Sequence, residues 1–440
     1  MNLKNQIPEK ISVFWFRRDL RMVDNTALER ALNSGFPVLP LFIFDTKITN
    51  ELPADDARIS FIYQQLEKIH RQLLAWKSSL CVIKGEPQAV WKELFCNFEI
   101  QSVYANKDYE PYAIKRDREL GELLESHGIG LHLFKDQVIF EEADIMKNDH
   151  KPYTVFTPYK RKWLEKFQEL TPLNEEKESD RRFLKGSFSF PPYEALGFTP
   201  SLIRVRPYDI SNLKEYAKMR DFPGPDATSH LSPHLRFGTI SIRKVISSLG
   251  PSDELFLSEL IWREFFMQIL FHFPYVVNKN FKSRYNGISW NTSAEDFELW
   301  CEGKTGYPLV DAGMRQLNAT GYMHNRVRMV AAGFLCKHLL IDWRIGEAYF
   351  AKKLLDYELS SNNGNWQWAA GTGCDAAPYF RVFNPSEQLK KFDRDLVYVK
   401  RWIPEYGTPD YASPMIEHNV ARNRALDTYR KGMENYLPEA

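Results

Sequence analysis

The chain has 440 residues, of which 44% are hydrophobic and 26% charged, so it is long enough for two domains with substantial cores. These fractions exclude a disordered chain, and no stretch approaches the roughly 18 uninterrupted apolar residues of a membrane-spanning helix. The 58 Lys and Arg residues balance 57 Asp and Glu residues, so the net charge of +1 leaves any nucleic-acid surface to a local basic patch.

The thiols and imidazoles form no ligand motif. Five cysteines are widely spaced without a CxxC pair, which is typical of reduced thiols in an intracellular protein. Ten histidines form no HExxH cluster, and the N-terminal MNLKNQIPEK has no apolar signal region. We therefore expect a cytoplasmic, monomeric protein without a membrane anchor and without a metal site.

The first part of the chain alternates short apolar runs with amphipathic stretches. Helical patterns lie at 57–76 and 111–128, between runs that predict strands. This alternation is typical of βαβ units in a parallel, doubly wound α/β sheet, and we assign it to a Rossmann-like domain at residues 10–138. The predicted strands are 11–16, 36–44, 80–83, 100–105 and 130–134.

The middle of the chain predicts a connector and then a helical domain. Residues 139–204 are rich in charge, proline and glycine without a sustained period, which predicts an interdomain segment laid over the surface. From about residue 205 strand signals disappear and helical runs dominate, as at 252–273 and 327–343. We therefore predict an all-α domain at residues 205–432.

Two tryptophans stand one residue apart in SNNGNWQWAAGTGCDAAPYF, residues 361–380. Each residue of an α-helix turns the side chain by about 100°, so Trp366 and Trp368 should point about 200° apart. One ring then faces inward and the other outward, and such a pair connects a buried group to one bound at the surface. On spacing alone, two ordinary core tryptophans are the simpler explanation.

Polar groups interrupt the apolar helical patterns. Glu259, Trp262 and Arg263 share one helix face in SELIWREFF, where either the two ions pair or the face lines a polar cavity. A similar cluster occurs in GYMHNRVRM (321–329). Hydroxyls precede a helical run in DATSHLSPHLRFGTIS (226–241), which suits a phosphate site or plain N-caps. Together these features favour a large ligand with many polar atoms.

Seven distinctive strings follow one another along the chain. They are FWFRRDLRMVDNTAL, TSHLSPHLRFG, ELIWREF, GKTGYPLVDAGMRQL, GYMHNRVRM, IDWRIGEAYF and NNGNWQWAAGTGCDAAPYFRVFNP. In this order they resemble the photolyase/cryptochrome family over almost the whole chain, and its class I cyclobutane pyrimidine dimer photolyases in particular. The resemblance implies a Rossmann-like N-terminal domain followed by an all-α domain that binds FAD, active as FADH⁻.

The resemblance also implies which residues hold FAD. The hydroxyl loop would bind its phosphates, Arg328 and Asp356 would form a buried ion pair beside the ring, and Asn362 would face flavin N5, as in family members that act as repair enzymes. Glu358 stands where many members have Asp. The implied FAD-binding residues are Tyr216, Thr228, Ser229, His230, Leu231, Ser232, Phe256, Arg263, Asn325, Arg328, Asp356, Glu358 and Asn362.

A substrate pocket and an electron path follow from the same resemblance. Trp262 and Trp368 would stack on a flipped cyclobutane dimer above Glu259, Asn325 and Met329, and Glu259 would donate a hydrogen bond if an apolar setting kept it protonated. The implied electron-transfer chain is Trp366, Trp343 and Trp290. The implied enzyme is a deoxyribodipyrimidine photo-lyase, a carbon–carbon lyase in which excited FADH⁻ lends an electron to the dimer.

Three alternatives stand beside this interpretation. (6-4) photolyases have a His-His pair and a further His where this chain has His324, Asn325 and Met329, which favours the cyclobutane dimer as substrate. A blue-light-sensing cryptochrome commonly replaces Asn362 and adds a regulatory tail, and we see neither. A thermal flavin oxidoreductase needs a hydride-donor site, whereas GTGCDAA (371–377) is a weak glycine motif that follows no strand.

DNA contacts are expected from a basic rim, with salt-sensitive binding of little sequence preference. The implied contacts are Arg220, Trp262, Asn325, Arg326, Arg381 and Gln388. Further candidates, which solvated surface charge explains equally well, are Lys279, Lys282, Arg284, Lys390 and Lys391. A second, antenna chromophore has no assigned identity, because Tyr112 and Ala113 stand where folate-binding members have an Asn-Glu pair, and a deazaflavin, another flavin or an empty pocket all remain open.

Overall fold

A computed structural model describes residues 10–170, 182–211 and 213–436 of the chain. Residues 1–9 of the N-terminal stretch and 171–181 of the predicted connector lie outside the described residues. The chain forms two compact units. The first contains the described residues up to Asp144 together with those of Lys166–Pro207 and Leu231–Leu249, and the second contains Ile145–Glu165, the described part of Tyr208–His230 and the chain from Gly250 onward.

The first unit is built on a five-stranded parallel sheet in the order β3-β2-β1-β4-β5. All five predicted strands are confirmed. The β1 and β2 strands are almost entirely buried, which explains why their sequences are continuously apolar rather than alternating. The strands are β1 (Lys10–Phe16), β2 (Val38–Asp45), β3 (Cys81–Gly85), β4 (Glu99–Asn106) and β5 (Gly130–Phe134).

Helices follow the strands of this unit in the doubly wound pattern that the alternation predicts. They are α1 (Thr26–Leu32), α2 (Thr46–Thr49), α3 (Ala57–Ala75), α4 (Pro87–Asn97) and α5 (Pro111–Glu125). The predicted helices at 57–76 and 111–128 correspond to α3 and α5. Asp56 and Asp45 cap α3 and α2 by accepting main-chain N–H groups of the first turns.

The rest of the chain is helical, which confirms the predicted fold class. Its helices are α6 (Phe156–Gln168), α7 (Tyr216–Met219), α8 (Ser232–Arg236), α9 (Ile242–Ser247), α10 (Glu254–His272), α11 (Ala294–Glu302), α12 (Pro308–Thr320), α13 (Asn325–Gly333), α14 (Trp343–Lys353), α15 (Leu359–Ala370), α16 (Pro385–Phe392), α17 (Val397–Trp402) and α18 (His418–Glu434). An aromatic core around Trp300, Trp343 and Trp366 holds the second unit together.

One predicted helix is interrupted. The apolar run at 327–343 forms α13 and a π-helical turn (Phe334–His338). The helix then ends, because Leu340 adopts a φ of 55°. Asp342 starts α14 by accepting the N–H group of Arg344 at 3.0 Å. The single helix expected from periodicity is therefore wrong, and Trp343 is the first residue of a new helix.

The predicted connector also contains a helix that the sequence analysis did not expect. Phe156, Tyr159 and Trp163 of α6 are buried whereas Arg161 and Lys162 are exposed, so this part of residues 139–204 packs one helix face inward and presents the other to solvent. The indole N–H of Trp163 donates to Glu264 Oε1 at 2.7 Å, and the Tyr159 hydroxyl donates to the same atom at 3.4 Å. Glu264 in SELIWREFF therefore binds α6, which explains how a carboxylate can be buried in α10.

No helix among the described residues is long and apolar enough to cross a membrane. No group of three or more His, Cys, Asp or Glu side chains in the described ranges is arranged to hold a metal ion. The five cysteines are unpaired thiols.

Candidate functional site

Helix α15 presents the two tryptophans of the NNGNWQW string on different sides. Trp366 is buried and Trp368 is half-buried, in agreement with the angle expected from the helical period. The Trp366 ring contacts Phe350 with centroids 4.9 Å apart and Trp300 at 6.1 Å. Trp368 lies 6.4 Å from the ring of Phe383. One ring therefore belongs to the core, and the other is accessible from the surface.

The amides of α15 have separate roles. Asn363 and Gln367 are buried and donate to the Val276 carbonyl at 2.9 and 3.1 Å, which fixes the helix to a preceding turn. Asn362 donates instead to Glu347 of α14, to Oε1 at 2.8 Å and to the main-chain carbonyl at 3.1 Å. Burial raises the pKa of the Glu347 carboxyl. Because its nitrogen is bound in this way, Asn362 keeps its side-chain carbonyl for a ligand.

Two ion pairs lie among the residues expected to surround a flavin. Arg328 forms a bidentate pair with Asp356, with Nη1–Oδ1 at 3.2 Å and Nη2–Oδ2 at 2.9 Å, and its Nε donates to the Met323 carbonyl at 2.8 Å. Arg263 Nε lies 3.7 Å from Glu358 Oε2. The expected Arg328–Asp356 pair is present, and a carboxylate at position 358 still reaches Arg263.

Glu259 pairs with a residue outside its own helix. It accepts from Arg220 Nη1 at 2.7 Å and not from Arg263, so the pair within SELIWREFF, one of the two alternatives left open by the sequence, is not formed. Glu259 thus accepts a hydrogen bond from a guanidinium, and its expected role as a donor to the lesion stays a prediction. Arg220, which also lies over the Tyr216 ring at 5.3 Å, is therefore engaged within the unit rather than extended toward solvent.

Trp262 is covered on one face by a residue that the sequence analysis missed. The ring of Phe156 stacks on it with centroids 3.6 Å apart and planes 9° apart. Phe265 and Phe266 of the same helix contact Trp262 at 5.5 and 5.4 Å. Trp262 nevertheless remains half-buried, so part of its ring reaches the surface. Nothing in the string YTVFTPYKRKW signals this contact, because Phe156 lies about 100 residues earlier in the chain.

The GYMHNRVRM string forms the start of α13. His324 caps the helix by accepting the Arg326 N–H on Nδ1 at 3.2 Å, and burial lowers the pKa of its imidazole to about 4. Asn325 is exposed and Met329 is half-buried. Arg326 pairs with Asp221 at 2.7 Å. Among Asn325, Arg326 and Arg328, Asn325 is therefore the one that is fully exposed.

The hydroxyl loop divides between the two units. Thr228, Ser229 and His230 belong to the second unit, where His230 lies 3.4 Å from Asp226. Leu231 and Ser232 belong to the first, and Ser232 begins the short helix α8. Two other expected FAD residues, Tyr216 and Phe256, are in edge-to-face contact at 5.0 Å within the second unit.

The three tryptophans of the expected electron path share one core. Trp343 and Trp366 are buried in it, and Trp290 is half-buried and packs against it. The Trp343 indole donates to Asn280 Oδ1 at 2.8 Å, and Trp290 contacts Tyr429 edge-to-face at 5.9 Å. The series therefore runs from two core rings to one that reaches the surface.

The expected DNA-binding residues are only partly exposed. Arg381 is exposed with its guanidinium 5.9 Å from the Phe383 ring, and Gln388 on α16 is half-buried. Lys390 is exposed but pairs with Glu387 at 2.7 Å. Burial lowers the pKa of the Lys282 amine. The remaining candidates, Lys279, Arg284 and Lys391, are exposed.

The first unit contains a cavity of about 320 Å³ on the side of α4 and α5. Tyr112 lines it, and its hydroxyl donates to Asp45 Oδ2 at 2.5 Å, whereas Ala113 is buried. The other lining residues include the cations Lys47, Lys115 and Arg116. The cavity thus contains the ring of Tyr112 at the position where folate-binding members have an Asn.

Comparison with known proteins agrees with this architecture. Residues 12–178 match the family model for DNA photolyase, and residues 256–409 match the FAD binding domain of DNA photolyase. The chain is 38% identical over 421 residues to the deoxyribodipyrimidine photo-lyase of Vibrio cholerae, covering 89% of each chain.

Similar solved structures cover both units. A bacterial class III photolyase from Agrobacterium tumefaciens has a TM-score of 0.84 at 30% identity, covering 99% of this chain and 100% of that one. An archaeal photolyase from Sulfolobus tokodaii with two FAD molecules has a TM-score of 0.82 at 34% identity, and the match covers 96% of this chain and 99% of that one. A cryptochrome from Synechocystis has a TM-score of 0.82 at 25% identity, and the match covers 96% of this chain and 100% of that one.

These matches define the protein's class as a two-domain flavoprotein with a parallel α/β unit and a helical FAD-binding unit. The chain belongs to the DNA photolyase family. It is therefore an enzyme of light-driven DNA repair that binds FAD.

The helical unit has the polar groups that FAD requires. Arg263 and Arg328 supply fixed cations, and Asn362 supplies an oriented carbonyl. His324 Nε2 and Ser360 Oγ are buried and have no hydrogen-bond partner among the described residues, so a polar ligand would satisfy them. These residues fit the cofactor that the family binds.

Proposed function

We propose that the protein repairs cyclobutane pyrimidine dimers in DNA, with the half-buried rings of Trp262 and Trp368 as the walls of the lesion pocket. The observation that supports this most is that both rings remain accessible on α10 and α15, two helices that pack together in the FAD-binding unit. A flipped dimer offers two apolar ring faces, and aromatic walls stabilise such a base outside the duplex.

Polar groups of the same unit suit the edge of the dimer. Asn325 is exposed at the start of α13 and offers both an amide donor and an acceptor. Glu259 is held by Arg220, so this ion pair would accept hydrogen bonds through the carboxylate and donate them through the guanidinium. Met329, half-buried one turn further along α13, supplies a polarisable apolar surface.

Bound in its reduced form, FAD would supply light-driven, reversible one-electron transfer, which is the chemistry that splits the ring bonds of the dimer without net redox change. Residues of the chain would fix the charges and dipoles around the flavin. Arg328 stays paired with Asp356, and Asn362 is oriented by Glu347. Fixed dipoles and charges of this kind need no reorganisation during the reaction.

The cyclobutane dimer is preferred over the (6-4) product because the GYMHNRVRM string offers no acid near pH 7. His324 is the only imidazole in GYMHNRVRM, and its lowered pKa of about 4 keeps it neutral near pH 7. Its Nδ1 is already used as a helix cap. Asn325 and Met329 do not titrate, so proton transfer to a (6-4) lesion has no donor in this string.

Trp366, Trp343 and Trp290 are proposed to reduce the flavin through the helical core. Trp366 and Trp343 are both buried and Trp290 is half-buried, which suits a path that ends at a surface reductant. Gly346 of α14 allows the close approach of the Trp366 ring, since a Cβ there would lie 2.2 Å from Trp366 Cη2. A signalling cryptochrome could use the same path, and Asn362 together with the two tryptophan walls favours repair.

The cavity of the α/β unit is proposed to hold any antenna chromophore. Its volume of about 320 Å³ lies at the lower end of ligand pockets, and its cations are balanced by Glu86 and Glu119, which pair with Lys47 and Lys115. Tyr112 occupies the position of the folate-binding amide and is tied to Asp45. This arrangement supports an antenna other than folate held by an Asn-Glu pair, or none.

Repair of two lesions by the reduced protein tests the proposal. Oligonucleotides with one cyclobutane thymine dimer or one (6-4) product are incubated under blue light and in darkness, and restored thymine is counted. We expect loss of the cyclobutane dimer in light only. A flavin that is bound and photoreducible without repair of either lesion would establish a photoreceptor instead, and repair of the (6-4) product alone would reverse the substrate assignment.

A further inference from the structure

The stacked partner of Trp262 lies outside the strings that define the family resemblance. Phe156 is the first residue of α6, and its ring covers one face of Trp262 at 3.6 Å with planes only 9° apart. Phe265 contacts both rings edge-on, at 5.8 Å from Phe156 and 5.5 Å from Trp262. Phe156 is buried, with 7% of its surface exposed, whereas Trp262 is half-buried. The uncovered part of the Trp262 ring is therefore the part available to a ligand.

Phe156 is held in place by a carboxylate from the GTGCDAA string, which earlier had no role. Asp375 Oδ2 accepts the main-chain N–H of Phe156 at 2.9 Å. This N–H is one of the unsatisfied donors at the start of α6, where a negative charge is also favoured by the helix dipole. Trp163 and Lys160 bind α6 to Glu264 and Glu254 at 2.7 and 3.3 Å. The start of α6, which carries Phe156, is thus held by Asp375, and its following turns are held by Glu264 and Glu254.

We propose that Phe156, held by Asp375, is a positioning residue for lesion recognition, because it covers one face of Trp262 and fixes the other for stacking on the pyrimidine pair. This inference rests on the proposed function, in which Trp262 is a wall of the lesion pocket. A ring that is stacked beforehand needs no reorientation when the dimer arrives, and such preorganisation lowers the cost of binding. Phosphate contacts do not use this ring, so binding of undamaged DNA should not depend on it.

The expected effect follows from the cost of ordering Trp262 upon binding, because the Phe156–Trp262 contact itself is present in both the free and the bound protein. Ordering one side chain at an interface costs about 0.5–1.5 kcal/mol, and 1.4 kcal/mol is a tenfold change in affinity. Phe156→Leu should therefore raise the Kd for dimer-containing DNA by about 2- to 12-fold. Phe156→Tyr keeps the stacked ring and should rescue the affinity. Asp375→Ala should move the Kd in the same direction as Phe156→Leu.

The experiment measures Kd in darkness for the full-length, FAD-loaded protein. The two probes are an oligonucleotide with one cyclobutane thymine dimer and the same oligonucleotide undamaged, at one salt concentration. Phe95→Leu on α4 of the other unit serves as the control, since Phe95 is a half-buried phenylalanine that also contacts a tryptophan, Trp91, at 6.5 Å. Flavin content and thermal midpoint report folding, and Asp375→Ala decides the matter if Phe156→Leu loses its flavin.

Three outcomes distinguish failure of the role of Phe156 from failure of the proposed function. A parent protein that discriminates the dimer, with discrimination reduced in Phe156→Leu and Asp375→Ala and retained in Phe156→Tyr and Phe95→Leu, supports the role of Phe156. Unchanged discrimination in Phe156→Leu and Asp375→Ala overturns that role while the proposed function stands. A parent protein that binds both probes equally overturns the proposed function and the role of Phe156 with it.

Discussion

Replacing Gly346 by alanine should displace the Trp366 ring. A Cβ at this position of α14 would lie 2.2 Å from Trp366 Cη2 and 2.5 Å from Leu335 Cδ2, whereas ordinary contacts begin at 3.4 Å. Both neighbours are buried, and a tryptophan ring cannot bend away. The substitution therefore overpacks a core that has no room to relax.

The magnitude comes from two opposing effects. Overpacking costs about 1–3 kcal/mol, and an overlap of more than about 1 Å on two sides points to the upper end. Alanine in a helix interior returns about 0.5–1 kcal/mol. The net loss is about 2 kcal/mol, which for a unit of this size lowers Tm by roughly 4–8 °C. Movement of Trp366 should also slow photoreduction of the bound flavin.

Gly333→Ala is the matched control for this test. Gly333 ends α13 with helical angles, and a Cβ there meets nothing nearer than Phe383 Cδ2 at 3.9 Å. It should leave Tm unchanged or raise it slightly. Tm is measured on the FAD-loaded protein, with photoreduction followed by flavin absorbance. A Gly346→Ala protein with the parent's Tm and photoreduction rate would refute the packing assigned to Trp366.

Three further outcomes are expected. Burial lowers the pKa of His338 to about 3, so below about pH 6.5 the unfolded chain binds a proton at this residue and the folded chain does not. Acidification from pH 7 to 5 should therefore lower the free energy of unfolding, measured in urea, by about 2 kcal/mol, and His338→Leu should remove this loss. Arg328→Ala deprives the buried Asp356 carboxylate of its bidentate partner and should lower the free energy of unfolding by about 3–5 kcal/mol, together with the flavin content measured by absorbance. Lys92→Ala, at an exposed position, should change neither quantity. Arg381→Ala should reduce the slope of log Kd against log salt by about one for damaged and undamaged DNA alike, and an unchanged slope would remove Arg381 from the interface.

The architecture could be predicted from periodicity because its signals are local. Each of the five strands is a short apolar run bounded by turn residues, and each was found at the expected place. The break after His338 could not be predicted, since the run stays apolar and the chain changes direction through a φ of 55° at Leu340. That conformation has no clear signal in a leucine.

The site was predictable as a set of residue types, but its pairing was not. Arg328 and Asp356 pair as expected, whereas Glu259 binds Arg220 rather than the adjacent Arg263. Spacing on one helix shows which side chains share a face, but it cannot show which residue another segment brings nearer. The contact of Phe156 with Trp262 is of the same kind, because it joins segments about 100 residues apart.

The most direct test of the account is restoration of thymine in a dimer-containing oligonucleotide by the reduced, FAD-loaded protein, compared between blue light and darkness. The same protein with Trp366→Phe, reduced chemically, is the informative companion, because the electron path is needed only to reduce the flavin. We predict light-dependent repair by both proteins and none in darkness. Repair in darkness, or no repair in light by a parent protein with its flavin bound and reduced, would contradict the account.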